Sequence, residues 1–322
     1  MKAIRIHQPG DSSVMKLEDI PHPAPAPGEV LVRMAASGVN FIDIYQRSGQ
    51  YKGALPFTPG MEGAGIVEAV GEGVADFAPG GRAAFGFTQG SYAEYALVPA
   101  DKLVPVPDGV DLPLAAAAML QGMTAHYLTH DTFPLQPGHT ALVHAAAGGT
   151  GALIVQMAKQ RGARVLATAG SPEKAEIAQA AGADEVILYR ETDFAAEVLR
   201  LTAGHGVDVV YDSVGKDTFE PGLTVIRPRG MMVLFGQSSG AVPPLDPQTL
   251  NARGSLFLTR PSLGFYTATK EELRMRAAAV FEGIAAGWLT IRVDRSLPLA
   301  DAALAHDALA GRATRGKLLL IP

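Results

Sequence analysis

The 322-residue sequence contains no cysteine, carries charge on only 18% of its residues and has no long apolar run. The missing cysteine excludes disulfides, thiolate nucleophiles, iron–sulfur clusters and any thiolate-bound zinc. Charge is sparser than the roughly 25% of an average soluble chain, which excludes a disordered polyelectrolyte. The apolar fraction of 48% leaves material for a sizeable core. A formal net charge of −5 argues against nucleic-acid binding through a basic face. The longest apolar run, residues 112–120, spans nine positions and includes Pro113, whereas a membrane helix needs about twenty. The first residues hold Lys2, Arg5 and His7 with no apolar stretch behind them, so no secretory signal is expected. The expectation is a soluble, cytoplasmic protein with neither a membrane nor a nucleic-acid partner.

What is present falls into three zones, without internal repeats or a low-complexity tail. Residues 1 to about 110 are rich in glycine and proline, with short apolar bursts at 29–33, 64–70 and 92–98 separated by turn residues. Such spacing predicts an all-β, barrel-like unit. From Asp111 the texture changes. A helix is expected from Leu112 to about Thr129, and then strand-like and helix-like segments alternate. Strands at 140–145, 164–169, 185–188 and 207–211 precede helical patterns at 149–160, 172–181, 193–202 and 217–226, and 230–236 and 255–259 add two further strands. Strands that are apolar along their length and alternate with helices predict a parallel sheet covered on both faces. The third zone holds one amphipathic helix, 270–287, and strand-like runs at 289–292 and 317–321. Its expected place is back against the first zone. The division is therefore 1–124, 125–264 and 265–322, with the middle part forming a continuous domain.

The sharpest motif is 144–151, His-Ala-Ala-Ala-Gly-Gly-Thr-Gly, directly after a predicted strand and opening a helix. Against the dinucleotide fingerprint, Ala146 takes the first glycine position, Gly148 the second and Gly151 the third. Gly148 would admit a pyrophosphate to the backbone, and Gly151 would let helix and strand pack closely. The helix N-terminus offers free N–H groups and the positive end of a dipole. An NAD site usually carries an acid about 20 residues further on. Here 168–174 reads Thr-Ala-Gly-Ser-Pro-Glu-Lys, with no acid at the strand end. Ser171 and Lys174 suit a 2′-phosphate instead, with Tyr189 and Arg190 able to flank it. The plainer alternative is that Ser171 caps a helix and Lys174 is solvated. NADPH is the expected cofactor.

With these residues in view, the chain resembles the zinc-independent quinone oxidoreductases, related to zeta-crystallin, of the medium-chain dehydrogenase/reductase superfamily. The resemblance rests on 38–45 (GVNFIDIY), 47–51 (RSGQY), 60–67 (GMEGAGIV), 80–82 (GGR), 144–151, 211–215 (YDSVG), 235–240 (FGQSSG) and 259–262 (TRPS), which span the chain in family order. It implies an α/β fold, a Rossmann doubly wound parallel sheet plus a GroES-like β-barrel catalytic domain built from both chain ends. Zinc-dependent relatives place a cysteine where Asn40 stands and a histidine where Met61 stands, so no metal is expected. His126 and His130, at i and i+4 of a helix, could face one ion, but no third ligand is apparent. An ordinary pair is the simpler reading.

Without zinc, the acceptor must be polarised by hydrogen bonds. The resemblance places Asn40, Tyr45 and Tyr127 beside the nicotinamide, where an amide and two phenols could donate to a carbonyl that gains charge as hydride arrives. Their rings could also stack on a flat acceptor, although each tyrosine could equally be a buried ring with its hydroxyl satisfied. An ordinary phenol titrates near about 10, so solvent could supply the protons. The resemblance further implies Phe41, Ile42 and Asp43 near the nicotinamide, Gly149 and Thr150 on the pyrophosphate, and Gly170 through Lys174 with Tyr189 at the adenosine end. Ser213, Phe235, Gly236, Ser238 and Arg312 are additional cofactor candidates, Arg312 alternatively being a solvated charge. The expected activity is hydride transfer from NADPH to a quinone or similar conjugated carbonyl. Reduction of an activated C=C bond and non-catalytic NADPH binding remain open. The family is commonly dimeric, and 255–259 could be an edge strand pairing across a two-fold axis to give a homodimer.

Overall fold

A computed structural model describes residues 1–322. The chain forms two compact units, Met1–Met123 with Tyr266–Pro322, and Thr124–Phe265. No helix is long and apolar enough to cross a membrane.

The first unit begins with an antiparallel pair, β1 (Lys2–Ile6) and β2 (Met15–Asp19). The eleven-residue β3 (Glu29–Val39) runs straight into helix α1 (Phe41–Arg47). Strands β4 (Glu62–Val70), β5 (Arg82–Gly86), β6 (Tyr95–Pro99) and β7 (Val104–Pro105) follow, and then helix α2 (Leu112–Tyr127). One π-helical turn, Leu128–Thr132, extends α2.

The second unit alternates strand and helix: β8 (Thr140–Val143), α3 (Gly149–Gln160), β9 (Arg164–Ala169), α4 (Pro172–Ala180), β10 (Glu185–Leu188), α5 (Phe194–Leu201), β11 (Val207–Asp212), α6 (Phe219–Thr224), β12 (Ile226–Leu234), α7 (Pro247–Ala252), β13 (Phe257–Thr259) and α8 (Leu263–Tyr266). Its six strands are parallel in the order β10-β9-β8-β11-β12-β13. Their side chains form a continuous apolar core. Leu142, Leu166, Ile187, Val210 and Met232 from the sheet meet Phe194 and Val198 of α5 and Phe219 and Leu223 of α6. Each such side chain contributes roughly 1.5–3 kcal/mol by leaving water. The order reverses beside β8, whose neighbours are β9 and β11. The carboxyl ends of strands at such a switch point are where ligands bind in doubly wound sheets.

The C-terminal part returns to the first unit as α9 (Lys270–Ala285), β14 (Val293–Pro298), α10 (Ala302–Ala310) and β15 (Lys317–Ile321). The seven-stranded sheet there follows the path β14-β15-β3-β4-β5-β7, with β6 also on β3. Register pairs Leu318 with Val39 and Leu319 with Gly38, which brings Lys317 to the head of α1. The strand expected at 289–292 is displaced to Val293–Pro298. Leu289 instead turns back to close α9: its N–H donates to Gly283 O at 3.0 Å, and its side chain is buried. The actual strand, at the sheet margin, sets Asp294, Arg295 and Ser296 between Val293 and Leu297 and so lacks an apolar run.

Candidate active site

In the second unit the site grows from the end of β8. Ala145 adopts a left-handed φ of 51°, and Gly148 N–H closes the turn on Ala145 O at 2.9 Å. A Cβ at Gly151 would collide with that same carbonyl, so helix and loop approach this closely only because residue 151 is glycine. No side chain caps α3 at Gly148, which leaves the first-turn amides of Gly149, Thr150 and Gly151 suited to an anion. His144 is structural. Its buried ring lies 3.0 Å from Thr168 Oγ1 and edge-on to Phe194, and burial pushes its pKa down despite nearby Asp212.

The end of β9 carries no carboxylate. Gly170 follows it, and a Cβ there would lie 2.8 Å from the hydroxyl of Tyr189, a residue 41% exposed. Ser171 caps α4, its hydroxyl accepting from Lys174 N–H at 3.4 Å. That capping leaves the hydroxyl proton available to a further acceptor.

Two more loops converge at the ends of β11 and β12. The buried Asp212 carboxylate accepts from Val214 N–H at 2.7 Å, Gly215 N–H at 3.0 Å and Thr218 Oγ1 at 2.8 Å. This fixes the turn at Ser213. Phe235 N–H donates to Asp212 O at 2.8 Å and Ser238 N–H to Ser213 O at 3.1 Å, and a Cβ at Gly236 would lie 2.6 Å from Ser213 O. Ser213, Phe235, Gly236 and Ser238 are thus brought together. Arg312 belongs to the first unit, exposed in the turn after α10 with a left-handed φ of 56°.

In the first unit the centre is Asn40, at the junction of β3 and α1. Its amide nitrogen donates to Glu62 Oε2 at 2.9 Å and to Gly38 O at 3.3 Å. Its Oδ1 accepts from Lys317 Nζ at 2.7 Å and Gln121 Nε2 at 3.3 Å. Both amide protons thus have acceptors inside the first unit, where Asn40 ties β3 to β4 and β15. Asp43, expected near the nicotinamide, has a fully buried carboxyl group. Oδ2 accepts from Asn40 N–H at 2.8 Å and Tyr92 Oη at 3.0 Å, while Oδ1 is buried without a hydrogen-bond partner.

Beyond Asp43 runs a buried chain. Tyr92 Oη is 3.1 Å from His306 Nε2, and His306 Nδ1 is 3.2 Å from Arg47 Nη1. Arg47 can only donate, so His306 carries its proton on Nε2 and donates a hydrogen bond to the tyrosine oxygen, whose own hydroxyl donates to Asp43. Burial raises the Asp43 pKa to about 7 against the two hydrogen bonds it accepts. Burial, and then the Arg47 charge, lower that of His306 to about 3. Burial and the Asp43 charge also push the Tyr92 phenol well up, so it stays protonated.

On α1 the aromatic residues form a small cluster. Tyr45, 9% exposed, lies 6.1 Å from Phe41 and 5.3 Å from Tyr51 between ring centres. Tyr51 is 39% exposed and completes the cluster. Ile42 is half-buried. Met61 is buried and its sulfur accepts from Gln46 Nε2 at 3.4 Å, so the position where a zinc ligand stands in metal-dependent relatives holds a packed thioether. Tyr127, at the end of α2, is buried with no ring face open to solvent. The His126 and His130 rings stack at 4.1 Å, and His130 Nδ1 lies 3.0 Å from His126 O, an intrahelical arrangement that no third ligand joins.

A glycine-loop unit with a parallel sheet and a second, mostly antiparallel β unit are the two parts of a two-domain dehydrogenase. Family models agree: residues 26–108 match the alcohol dehydrogenase GroES-like domain and residues 149–279 the zinc-binding dehydrogenase model. A quinone oxidoreductase of Pseudomonas aeruginosa is 45% identical over 100% of this chain and 99% of its own. A 2-haloacrylate reductase of a Burkholderia species is 42% identical over 98% of both chains. Among solved structures, the Escherichia coli quinone oxidoreductase complexed with NADPH superposes with a TM-score of 0.98 at 42% identity, covering 100% of each chain. The chain belongs to the quinone oxidoreductases of the medium-chain dehydrogenase/reductase superfamily.

Proposed function

We propose that the protein is an NADPH-dependent, zinc-independent reductase that passes hydride from NADPH to a quinone. The observation that carries this reading is the full-length likeness to a quinone oxidoreductase solved with NADPH. Features of this chain fit the cofactor. The amides of Gly149, Thr150 and Gly151 at the uncapped α3 receive the pyrophosphate, with Gly148 keeping the approach clear. Ser171, Lys174 and Tyr189, around the carboxylate-free Gly170, receive the phosphorylated ribose. Ser213, Phe235, Gly236 and Ser238 line the adjoining loops, and Arg312 and the backbone of Phe41 and Ile42 are further contacts in this reading. When bound, NADPH supplies a hydride at its nicotinamide ring.

On the acceptor side, Tyr45 and Tyr51 present phenols that can stack on a flat ring and donate to a carbonyl as it gains charge. Protons come from solvent. A second reading, reduction of an activated C=C bond, is favoured by the likeness to a 2-haloacrylate reductase. Following NADPH consumption at 340 nm with a panel of quinones, enones and 2-haloacrylates separates the two. Turnover with quinones supports the first reading, turnover with 2-haloacrylates alone the second, and NADPH binding without turnover a non-catalytic protein.

The reading includes the cytoplasm, where NADPH is the available reductant, and a homodimer. Strand β13 ends the parallel sheet with β12 on one side, and its Phe257 is 57% exposed. An edge of this kind can pair with a second copy. A monomeric mass by light scattering at micromolar concentration would remove the homodimer from the reading.

A further inference from the structure

Four segments of the first unit, remote in sequence, meet at one buried ion pair. Lys317 opens β15 and is 1% exposed, and Glu62 opens β4 and is 0% exposed by side chain. The ammonium of Lys317 sits against Glu62 Oε2 and lies 2.7 Å from Asn40 Oδ1. The carboxylate also accepts from Asn40 Nδ2 at 2.9 Å through Oε2, and from Leu120 N–H of α2 at 2.5 Å through Oε1. Room for the pair is provided by Gly38, where a Cβ would collide with both Glu62 Oε2 and Lys317 Cε.

Stability alone gives little reason for this arrangement. Two charges lose their hydration here, and a well-packed apolar pair of similar volume commonly folds as well or better. What an apolar pair could not do is grip the Asn40 amide at both ends. Glu62 takes its N–H and Lys317 donates to its oxygen, so the side chain has one orientation. The same residue's backbone N–H donates to Asp43 at 2.8 Å, which fixes where α1 begins. Helix α1 carries Phe41 and Tyr45, less than two turns away.

We propose that Lys317, acting with Glu62, is a positioning residue for the reductase reaction: the pair pins Asn40 and thereby sets Tyr45 against the acceptor. The inference rests on the reading of α1 as the acceptor-facing helix. It assigns Lys317 no contact with substrate or cofactor.

The test uses the full-length Lys317→Met/Glu62→Gln double variant, which removes both charges while keeping chain length and shape. Lys317→Met alone strands a buried carboxylate and is the variant at risk of not folding. Two quantities are read: amide hydrogen exchange of peptides covering residues 40–47, and steady-state turnover of NADPH with 1,4-benzoquinone. Exchange at 40–47 should quicken roughly tenfold while the strands of the second unit stay protected. Turnover number should fall about tenfold to a hundredfold, the range expected for slight misplacement of reacting groups, with KM for NADPH within about twofold of the parent. Unchanged exchange at 40–47 overturns the proposal whether or not the parent is active. So does faster exchange with an unchanged turnover number, which makes the pair a plain crosslink. A parent that consumes no NADPH with any quinone or conjugated acceptor sinks the functional reading itself, before any variant is made.

Discussion

The hydroxyl of Tyr189 stands over Gly170, so close that a Cβ built at residue 170 would lie 2.8 Å from it. The two residues follow the neighbouring strands β10 and β9, and together they form the floor and rim of the proposed adenosine site. Gly170→Ala should be cheap for folding, because the atom it meets is the mobile tip of a half-exposed side chain. It should nevertheless push Tyr189 off the site and weaken NADPH several-fold. Thermal melts and NADPH fluorescence titration together check this; an unchanged Kd removes Tyr189 from the site.

Lys174 tests the choice of cofactor. A charge-assisted hydrogen bond to a phosphate contributes roughly 1.5–3 kcal/mol, equivalent to about tenfold to a hundredfold in affinity. Lys174→Ala should weaken NADPH by that factor and leave NADH nearly unchanged, since NADH lacks the phosphate. Equal losses for both cofactors would refute a phosphate role for Lys174, leaving it as part of the α4 surface.

The buried Arg47–His306–Tyr92–Asp43 chain predicts an unusual pH response. Asp43 titrates at about 7 folded and near 3.8 unfolded, so the native state holds the extra proton between those values and stability declines as pH rises through them. His306 titrates at about 3 folded and near 6.5 unfolded, so the unfolded chain holds the extra proton and stability increases as pH rises from 3 to 6.5. Each slope approaches about 1.4 kcal/mol per pH unit. From pH 4 to 6.5 the two oppose each other, and their combined contribution is nearly flat. Relative to the parent, Asp43→Asn should therefore gain stability across that window, and His306→Gln should lose it. Urea midpoints at half-unit pH steps give both difference curves; parallel curves would rule out titration of this chain.

The parallel sheet is legible because its central strands β8, β9 and β11 are almost wholly buried and so write apolar runs. Helix α3, at Gly149–Gln160, occupies the residues expected from the glycine loop alone. The acceptor side was far less legible. Asn40 reads as a free donor until its partners are known, and those partners, Glu62 and Lys317, lie 22 and 277 residues away. A lysine at the start of Lys-Leu-Leu-Leu-Ile looks like a solvated strand end, and only the sheet register turns it inward. Tyr92, His306 and Arg47 were silent for the same reason, since each is an ordinary polar residue whose meaning comes from tertiary contacts. Strand β14 was missed on other grounds: a marginal strand can be polar, and the apolar Leu289 beside it belongs to a helix terminus.

Two glycines of the 144–151 loop should separate folding from binding. A Cβ at Gly151 would collide with Ala145 O and come within 3.0 Å of both Ala145 C and Ala146 Cα, all backbone atoms that cannot swing away. Gly151→Ala should force α3 away from β8 and lower stability by about 1–3 kcal/mol, the usual cost of overpacking. Gly148 has an ordinary φ of −73°, and a Cβ there meets only Ala145 O, at 3.1 Å. Gly148→Ala should melt close to the parent, yet its methyl group would stand where an anion approaches the first-turn amides and would weaken NADPH at least about tenfold. The pair is read by thermal unfolding and by NADPH titration on the same samples. If Gly148→Ala binds NADPH as tightly as the parent, the pyrophosphate does not lie on this turn, and the uncapped end of α3 serves only the packing of helix on sheet.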